Sequence, residues 1–264
     1  MENRNMKTKV ISFANNKGGS GKSTACSNIG YGLTLEGKKV LLIDGDMQLN
    51  LSLSLLDEDT VLEYAQDGKN LYDAIKNQND LEDYIIHTRF DNLDIIPSST
   101  LMSSIEYELF SKWQREFILK KCLKSIIQKN IYDYILIDAP PTLGGWVMNI
   151  LVASDEVIIP VEATPWGLFG LGNMFEFFEE VKQMNENLKI AGILVTKVDT
   201  RKNYFKQTIE SLRELDDIKV YNTYIRVDSA IEWSQDNNMP VIAYKKSSRS
   251  ANEYMELVKE ILPK

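Results

Sequence analysis

The sequence predicts a three-layer α/β fold, a mostly parallel twisted sheet with helices on both faces. Three observations carry this expectation. Short, near-continuous apolar runs alternate with amphipathic stretches of helix length, as expected of strands covered on both faces. A glycine-rich turn joins the first apolar run to the first helix. Later apolar runs end abruptly at Asp44, Asp138 or Thr196, which places polar groups at strand tips, where ligands bind in open α/β sheets.

The elements follow in order. Residues 10–14 (VISFA) form a first strand that stops at Asn15-Asn16, and residues 22–36 form the first helix, closed by Gly37. Residues 40–44 (VLLID) form the second strand, completing a β-α-β unit with a right-handed crossover. Further strands are expected at 93–96, 134–138, 157–161, 190–196 and 219–225. Helices are expected at 100–129, 143–153, 167–187, 204–215 and 250–262. The polar stretch 57–80 is expected to be a surface excursion, and residues 1–264 a single domain without repeats or linkers.

Composition narrows the class. With 44% hydrophobic residues and 26% charged, the chain can form a substantial core, and its mean hydropathy is -0.25. No run is long and apolar enough to span a bilayer, and residues 1–9 lack a signal-peptide core, so the cytoplasm is the expected location. Cys26 and Cys122 form no C-x-x-C pair, which removes support for a metal or iron–sulfur site; both are expected as core thiols. His87 stands alone in a polar connection and is given no role. A net charge of -8 argues against an all-over basic coat. It leaves room for a local basic patch, because charge is screened beyond about 10 Å.

The segment Lys17-Gly18-Gly19-Ser20-Gly21-Lys22-Ser23-Thr24 lies between the first strand and first helix, the context a phosphate-binding loop needs. Glycines let successive backbone N–H groups turn toward one anion, and the helix N-terminus adds partial positive charge. Lys22 is placed for the β- and γ-phosphates of a nucleoside triphosphate, Ser23 for Mg²⁺ and Thr24 for a phosphate oxygen. The loop departs from the general pattern, with Asn16 where a first glycine is usual and a second lysine, Lys17, beside it. Lys17 is at the far end of the loop from Lys22, positioned to reach a nucleotide held by a second subunit.

Carboxylates supply the rest. Asp44 and Asp46 follow the second strand, where one or both would orient the attacking water or hold the metal's water shell. Asp138 ends the strand YILID before Ala139-Pro140-Pro141, the Walker B arrangement that supports Mg²⁺. Thr196-Lys197-Val198-Asp199 is similar to an element that reads guanine in GTPases, so GTP stands beside ATP on these residues alone.

Together these segments resemble the ParA/MinD family of deviant Walker A ATPases, in particular its small Soj-like partition proteins. The resemblance rests on residues 17–24, on VLLIDGDMQLN at 40–50, on YDYILIDAPP at 132–141 and on ASDEVIIPV at 153–161; Met239-Pro240-Val241 and residues 247–254 look alike too. It implies ATP as the nucleotide, with Asp199 near it, and an ATP-dependent sandwich dimer in which Lys17 contacts the partner's nucleotide. It implies that Lys22 binds phosphates, Ser23 binds Mg²⁺, Asp46 positions water, and Asp44 and Asp138 support the metal. The dimer of such proteins binds DNA non-specifically, on the nucleoid, and a ParB-like partner stimulates hydrolysis. Arg201 matches a DNA-contacting arginine, a second falls on Ala230, and Lys202, Lys206, Lys245, Lys246 and Arg249 are further candidates. The first strand starts almost at once and the chain stops after its last helix, so neither the helix-turn-helix of large ParA proteins nor a MinD-type membrane tail is expected. The weakened arginine pattern supports an alternative, an ATPase that positions a protein assembly. A P-loop enzyme transferring phosphate to a metabolite is a further one.

Overall fold

The computed structural model describes residues 7–164, 168, 170–215 and 218–263. Strand β1 (Lys9–Phe13) leads through helix α1 (Lys22–Leu35) to β2 (Val40–Asp44). Helices α2 (Asn50–Leu53), α3 (Glu58–Gln66) and α4 (Leu71–Asn77) precede the short β3 (Ile86–His87) and β4 (Leu93–Ile96). Helices α5 (Ile105–Phe110), α6 (Ile118–Cys122) and α7 (Lys124–Lys129) lead to β5 (Tyr134–Asp138). Then come α8 (Gly145–Ala153), β6 (Glu156–Glu162), α9 (Leu171–Lys182) and β7 (Lys189–Thr196). The last described elements are α10 (Asn203–Arg213), α11 (Ser229–Asp236), α12 (Val241–Tyr244) and α13 (Arg249–Ile261).

The sheet runs β3-β4-β2-β5-β1-β6-β7, parallel throughout except where β3 meets β4. Its strands are apolar along their length because each feeds two cores. Leu41, Ile43, Ile135 and Ile137 face one cluster, built with α4 to α9. Val40, Leu42, Tyr134 and Leu136 face the other, built with α1 and the C-terminal helices. This is the expected three-layer arrangement. Parallel pairing puts the ends of β1, β2, β5, β6 and β7 on one edge of the sheet. Phe13 and Asp44 each pair with Asp138, and Glu162 pairs with Thr196. Every strand-tip group singled out in the sequence therefore faces the same edge.

Three expectations need correction. The stretch 57–80 is not a mere surface excursion, because α4 buries Leu71, Tyr72, Ala74 and Ile75 in the core. Asn70 caps this helix by accepting from the Asp73 amide. Its polar residues set its solvent face and masked a short apolar stripe. Ile75→Ala is expected to cost about 2–5 kcal/mol of stability, read from urea unfolding. The single helix at 100–129 is instead broken into short helices, with Gln114 at φ 50°, a left-handed turn that no α-helix continues through. In place of the strand at 219–225, only isolated bridges are made, by Val220 to Ile193 and by Arg226 just beyond to Val198. The Asn222 and Thr223 amides donate to the Glu260 carboxylate, at 3.0 and 2.8 Å, instead of to a neighbouring strand.

Other readings hold. Cys26 and Cys122 are buried thiols. His87 is exposed, its Nδ1 2.7 Å from Asp94 Oδ1. The helix expected from residue 167 is seen as α9; Gly167 itself lies outside the described residues. No helix among the described residues is long and apolar enough to cross a membrane.

Candidate functional site

The loop after β1 is shaped by its backbone. Gly19 and Gly21 take φ values of 72° and 86°, in the left-handed region where side chains are strained. Gly21 sits directly before α1 and leaves its first amides without a side-chain cap, so these donors point into the loop. Thr196 at the tip of β7 fixes the loop from above, its hydroxyl donating to the Ser20 carbonyl at 2.8 Å. Asn15 secures its start, donating to the Pro160 carbonyl at 2.6 Å and accepting from the Lys17 amide at 3.0 Å.

A cleft of 920 Å³ opens over this loop, large enough for a nucleotide. Gly18, Gly19, Ser20, Gly21, Lys22, Ser23 and Thr24 line its floor together with Asp46 and Lys197. Ile225, Val227, Asp228 and Gln235 line the opposite wall. Gln235 reaches across, its amide donating to the Thr24 hydroxyl at 3.2 Å.

Lys22 is buried beneath the cleft, with Nζ 3.3 Å from the Lys17 carbonyl. Burial lowers its pKa, and the charges of Asp138 and Asp46 oppose the fall. Asp138 is completely buried, and neither carboxylate oxygen reaches hydrogen-bond geometry with a group among the described residues. The Ser23 hydroxyl nevertheless lies close enough to favour its charged form. Burial pushes the Asp138 carboxyl well above its ordinary value, and the charge of Asp44 pushes it further. Asp46 is raised too, mainly by burial, against the Gln48 amide and Lys22.

Three buried carboxylates around one lysine hold excess negative charge when ionised, which a low-dielectric interior relieves by protonation, as their raised pKa values show, or by an added cation. Two buried Asp138 oxygens beside the Ser23 hydroxyl are the hard oxygen donors that Mg²⁺ prefers. Among the described residues no three of His, Cys, Asp and Glu could hold a metal by themselves. A cation held here would therefore share its ligands with a bound phosphate. The residues fit Mg²⁺.

Asp44 departs from its expected place at the metal. Like Asp138 it is completely buried, but unlike Asp138 both its oxygens are hydrogen-bonded. Its Oδ2 accepts from the Ser52 amide at 2.8 Å and hydroxyl at 2.6 Å, and its Oδ1 accepts from the Asp46 amide at 3.1 Å. Burial raises its pKa to about 6 against these bonds. Asp44 braces the turn that carries Asp46 by accepting three hydrogen bonds.

Asp199 is also misplaced by the sequence reading. It lies outside the cleft and forms a two-pronged pair with Arg201, both contacts at 2.9 Å. The guanidinium holds the Asp199 carboxyl at about 2. In the segment after β7, Thr196 anchors the loop, Lys197 faces the cleft and Asp199 turns outward to Arg201. Arg201 loses its standing as an uncommitted cation by the same pairing. Arg249 is engaged as well, donating to the Val227 carbonyl and lying 4.0 Å from Glu253, which also pairs with Arg226. Lys202, Lys206, Lys245 and Lys246 are exposed.

Lys17 points away from its own cleft. Its Nζ lies 3.2 Å from Glu162 at the end of β6 and 3.3 Å from the Thr164 hydroxyl just beyond it. Its loop therefore carries two lysines with opposite settings: Lys22 buried beneath the phosphates' seat and Lys17 on the rim.

A family model described as an AAA domain matches residues 8–190. The sporulation initiation inhibitor protein Soj of Bacillus subtilis is 37% identical, covering 96% of this chain and 98% of its own. The chain belongs to the ParA/MinD family of ATPases. Solved structures agree with that assignment. A plasmid partition protein of Borrelia burgdorferi B31, bound to AMPPNP, superposes with a TM-score of 0.79 at 29% identity, covering 97% of this chain and 98% of that one. Cobyrinic acid a,c-diamide synthase of Mycobacterium smegmatis, with an ATP analogue and magnesium, gives 0.81 at 26% identity, covering 96% and 93%. The fold is that of the P-loop NTPases.

Within this ParA/MinD-family site, several partners escaped sequence reasoning. Ser52 carries the brace on Asp44, Glu162 holds Lys17, and Gln235 closes on Thr24. None belongs to a local motif. Only Glu162, a charge at the end of an otherwise apolar strand, left a trace in the sequence.

Proposed function

We propose that this chain is a Mg²⁺-dependent ATPase that dimerises face to face on ATP. The dimer binds DNA without sequence preference, and a ParB-like protein stimulates hydrolysis, as in the partition of a plasmid or chromosome. The observation that carries the reading is the opposed setting of the two loop lysines. Lys22 serves its own cleft, while Lys17 stands on the rim beside Glu162, where a facing subunit's nucleotide would come within reach.

In this reading the loop amides and Lys22 bind the β- and γ-phosphates. Ser23 and Asp138 hold Mg²⁺, which would neutralise charge on the phosphate oxygens when bound. Asp46 orients water for in-line attack on the γ-phosphorus. A bond forms from water oxygen to phosphorus as the bond to the β–γ bridging oxygen breaks, giving ADP and phosphate. Asp44 keeps Asp46 in place. Lys202 and Lys206 at the start of α10, and Lys245 and Lys246 before α13, flank the Val227 loop and supply the DNA contacts.

The decisive experiment measures DNA binding with ATP and with ADP across a salt series. ATP-dependent binding is expected, and the double variant Lys245→Ala/Lys246→Ala should lower the salt slope by about 2 units for each subunit that engages the DNA, at about 0.9 per phosphate contact. Binding that ignores the nucleotide, or no binding at low salt, would sink the DNA reading.

One observation favours a second reading, an ATPase of this family that positions a protein assembly. Arg201, Arg226 and Arg249 are all paired with carboxylates, so each would have to exchange a partner before binding a phosphate on the proposed DNA face. Recovery of a partner other than a ParB-like protein, with no DNA affinity at low salt, would decide for it.

A further inference from the structure

We propose that Trp146 is a positioning residue for the Asp44-Gly45-Asp46 turn, and that Glu106 sets Trp146 in place. The inference rests on the reading of Asp46 as the water-orienting residue and deepens it.

Trp146 lies in the first turn of α8 and is 2% exposed. A buried indole N–H needs an acceptor, and its Nε1 donates to the Gly45 carbonyl at 2.9 Å. The Gly45 amide donates to the Asp138 carbonyl, also at 2.9 Å. Both backbone groups of Gly45 are thus held, between the two aspartates of the turn. There is no slack at this point. A Cβ on Gly45 would stand 2.7 Å from the Asp138 carbonyl oxygen and 3.4 Å from the Trp146 indole nitrogen.

Among the described residues, the hydrogen bonds that grip this turn from other elements come from Asp138, Trp146 and Ser52. Asp138 and Ser52 act from the sheet side and from α2. Trp146 alone ties the turn to the helix layer beyond β5. Its N–H therefore fixes the rotation of the Gly45 peptide, and with it the direction in which Asp46 leaves the strand.

The indole is set from outside. Glu106 on α5 accepts from the Trp146 amide at 3.4 Å, at the start of a helix that has no side-chain cap of its own. A carboxylate at that end also meets the positive end of the helix dipole. The approach is close: a Cβ on Gly144 would stand 2.1 Å from Glu106 Oε1. Glu106 itself lines an open groove of 1130 Å³ beside Phe110, Met148 and Phe177. A path of three residues, Glu106, Trp146 and Gly45, connects that groove to Asp46.

The test uses Trp146→Phe, which keeps a large ring but cannot donate. Loss of this one hydrogen bond is expected to lower the turnover number about tenfold. The affinity for a fluorescent ATP analogue should stay within about twofold, because the phosphate loop does not touch the indole. Glu106→Gln retains an acceptor oxygen and should keep most activity. Glu106→Ala should reduce it, and the double variant Glu106→Ala/Trp146→Phe should be no slower than Trp146→Phe alone, the signature of residues acting in series. A second readout is the ¹⁵N-indole resonance of Trp146, assigned by its loss in Trp146→Phe, which should move in Glu106→Ala without any nucleotide present.

Turnover by Trp146→Phe at the wild-type rate, or turnover and ATP affinity falling together, would overturn the positioning role. An indole resonance unmoved in Glu106→Ala would overturn the part given to Glu106. Wild-type protein that hydrolyses no ATP would instead sink the ATPase reading, and the resonance would still decide whether the three residues are linked.

Discussion

Asp46→Ala is expected to bind ATP, to dimerise and to stall. The side chain lines the cleft and contacts the protein through the Gln48 amide at 3.1 Å, with Lys22 as its nearest cation. Its removal leaves the loop and Lys22 intact, so the phosphates keep their ligands. Loss of a buried negative charge beside a polyanion should even strengthen ATP binding slightly. The chemical step loses its water-orienting group, and such groups contribute typically about 10²–10⁴-fold to rate. Size-exclusion chromatography with Mg-ATP should show a dimer that persists, while phosphate release falls by at least about a hundredfold. Phosphate release within twofold of the wild type would remove Asp46 from its assigned role and pass the task to another cleft residue.

Lys22→Ala should act one step earlier. Lys22 is buried under the phosphate seat, and its charge is balanced by Asp138 and Asp46. Alanine there removes the buried lysine of the cleft floor and leaves those buried carboxylates facing the incoming phosphates. Charged hydrogen bonds of this kind are worth roughly 1.5–3 kcal/mol each. ATP affinity should therefore fall by at least about a hundredfold, a loss of about 2.7 kcal/mol. Calorimetry with Mg-ATP would measure it, and unchanged affinity would disprove the assignment. The two variants separate binding from turnover: one should lose the ligand, the other should keep it and fail to use it.

Lys17 belongs to neither class. Its pairing with Glu162 shows where the lysine rests in a single chain, and both side chains are about a third exposed. An ion pair that open is worth little, about 0–1 kcal/mol. A triphosphate presented by a facing subunit would compete with Glu162 easily. In the proposed dimer the pairing would hold the lysine ready without opposing its transfer.

Much of this was legible in the residues. The alternation of apolar runs and helices predicts the layers because both sheet faces are buried. The phosphate loop is legible because its demands are local: left-handed φ values at Gly19 and Gly21, and a lysine one residue inside the helix. Asp46 and Asp138 are legible because a strand tip in a parallel sheet faces the ligand edge. The errors share one cause. Asp44 looks equivalent to Asp46 by position, yet it accepts three hydrogen bonds from Ser52 and the Asp46 amide. Asp199 follows a strand as a base reader would, yet Arg201 two residues on captures it. The apolar stripe of α4 was hidden by the charge around it.

The sequence by itself determined the backbone geometry of the loop, the class of fold and the edge of the sheet on which the strand-tip groups gather. These follow from backbone geometry and side-chain period, which act over a few residues. Only the tertiary structure decided what each polar group does there. Glu162 meets Lys17 across 145 positions, and Trp146 meets Gly45 across 101. Such partners are set by which strand lies beside which, and a carboxylate's role depends on whether its oxygens reach the cleft or are already held by a neighbour.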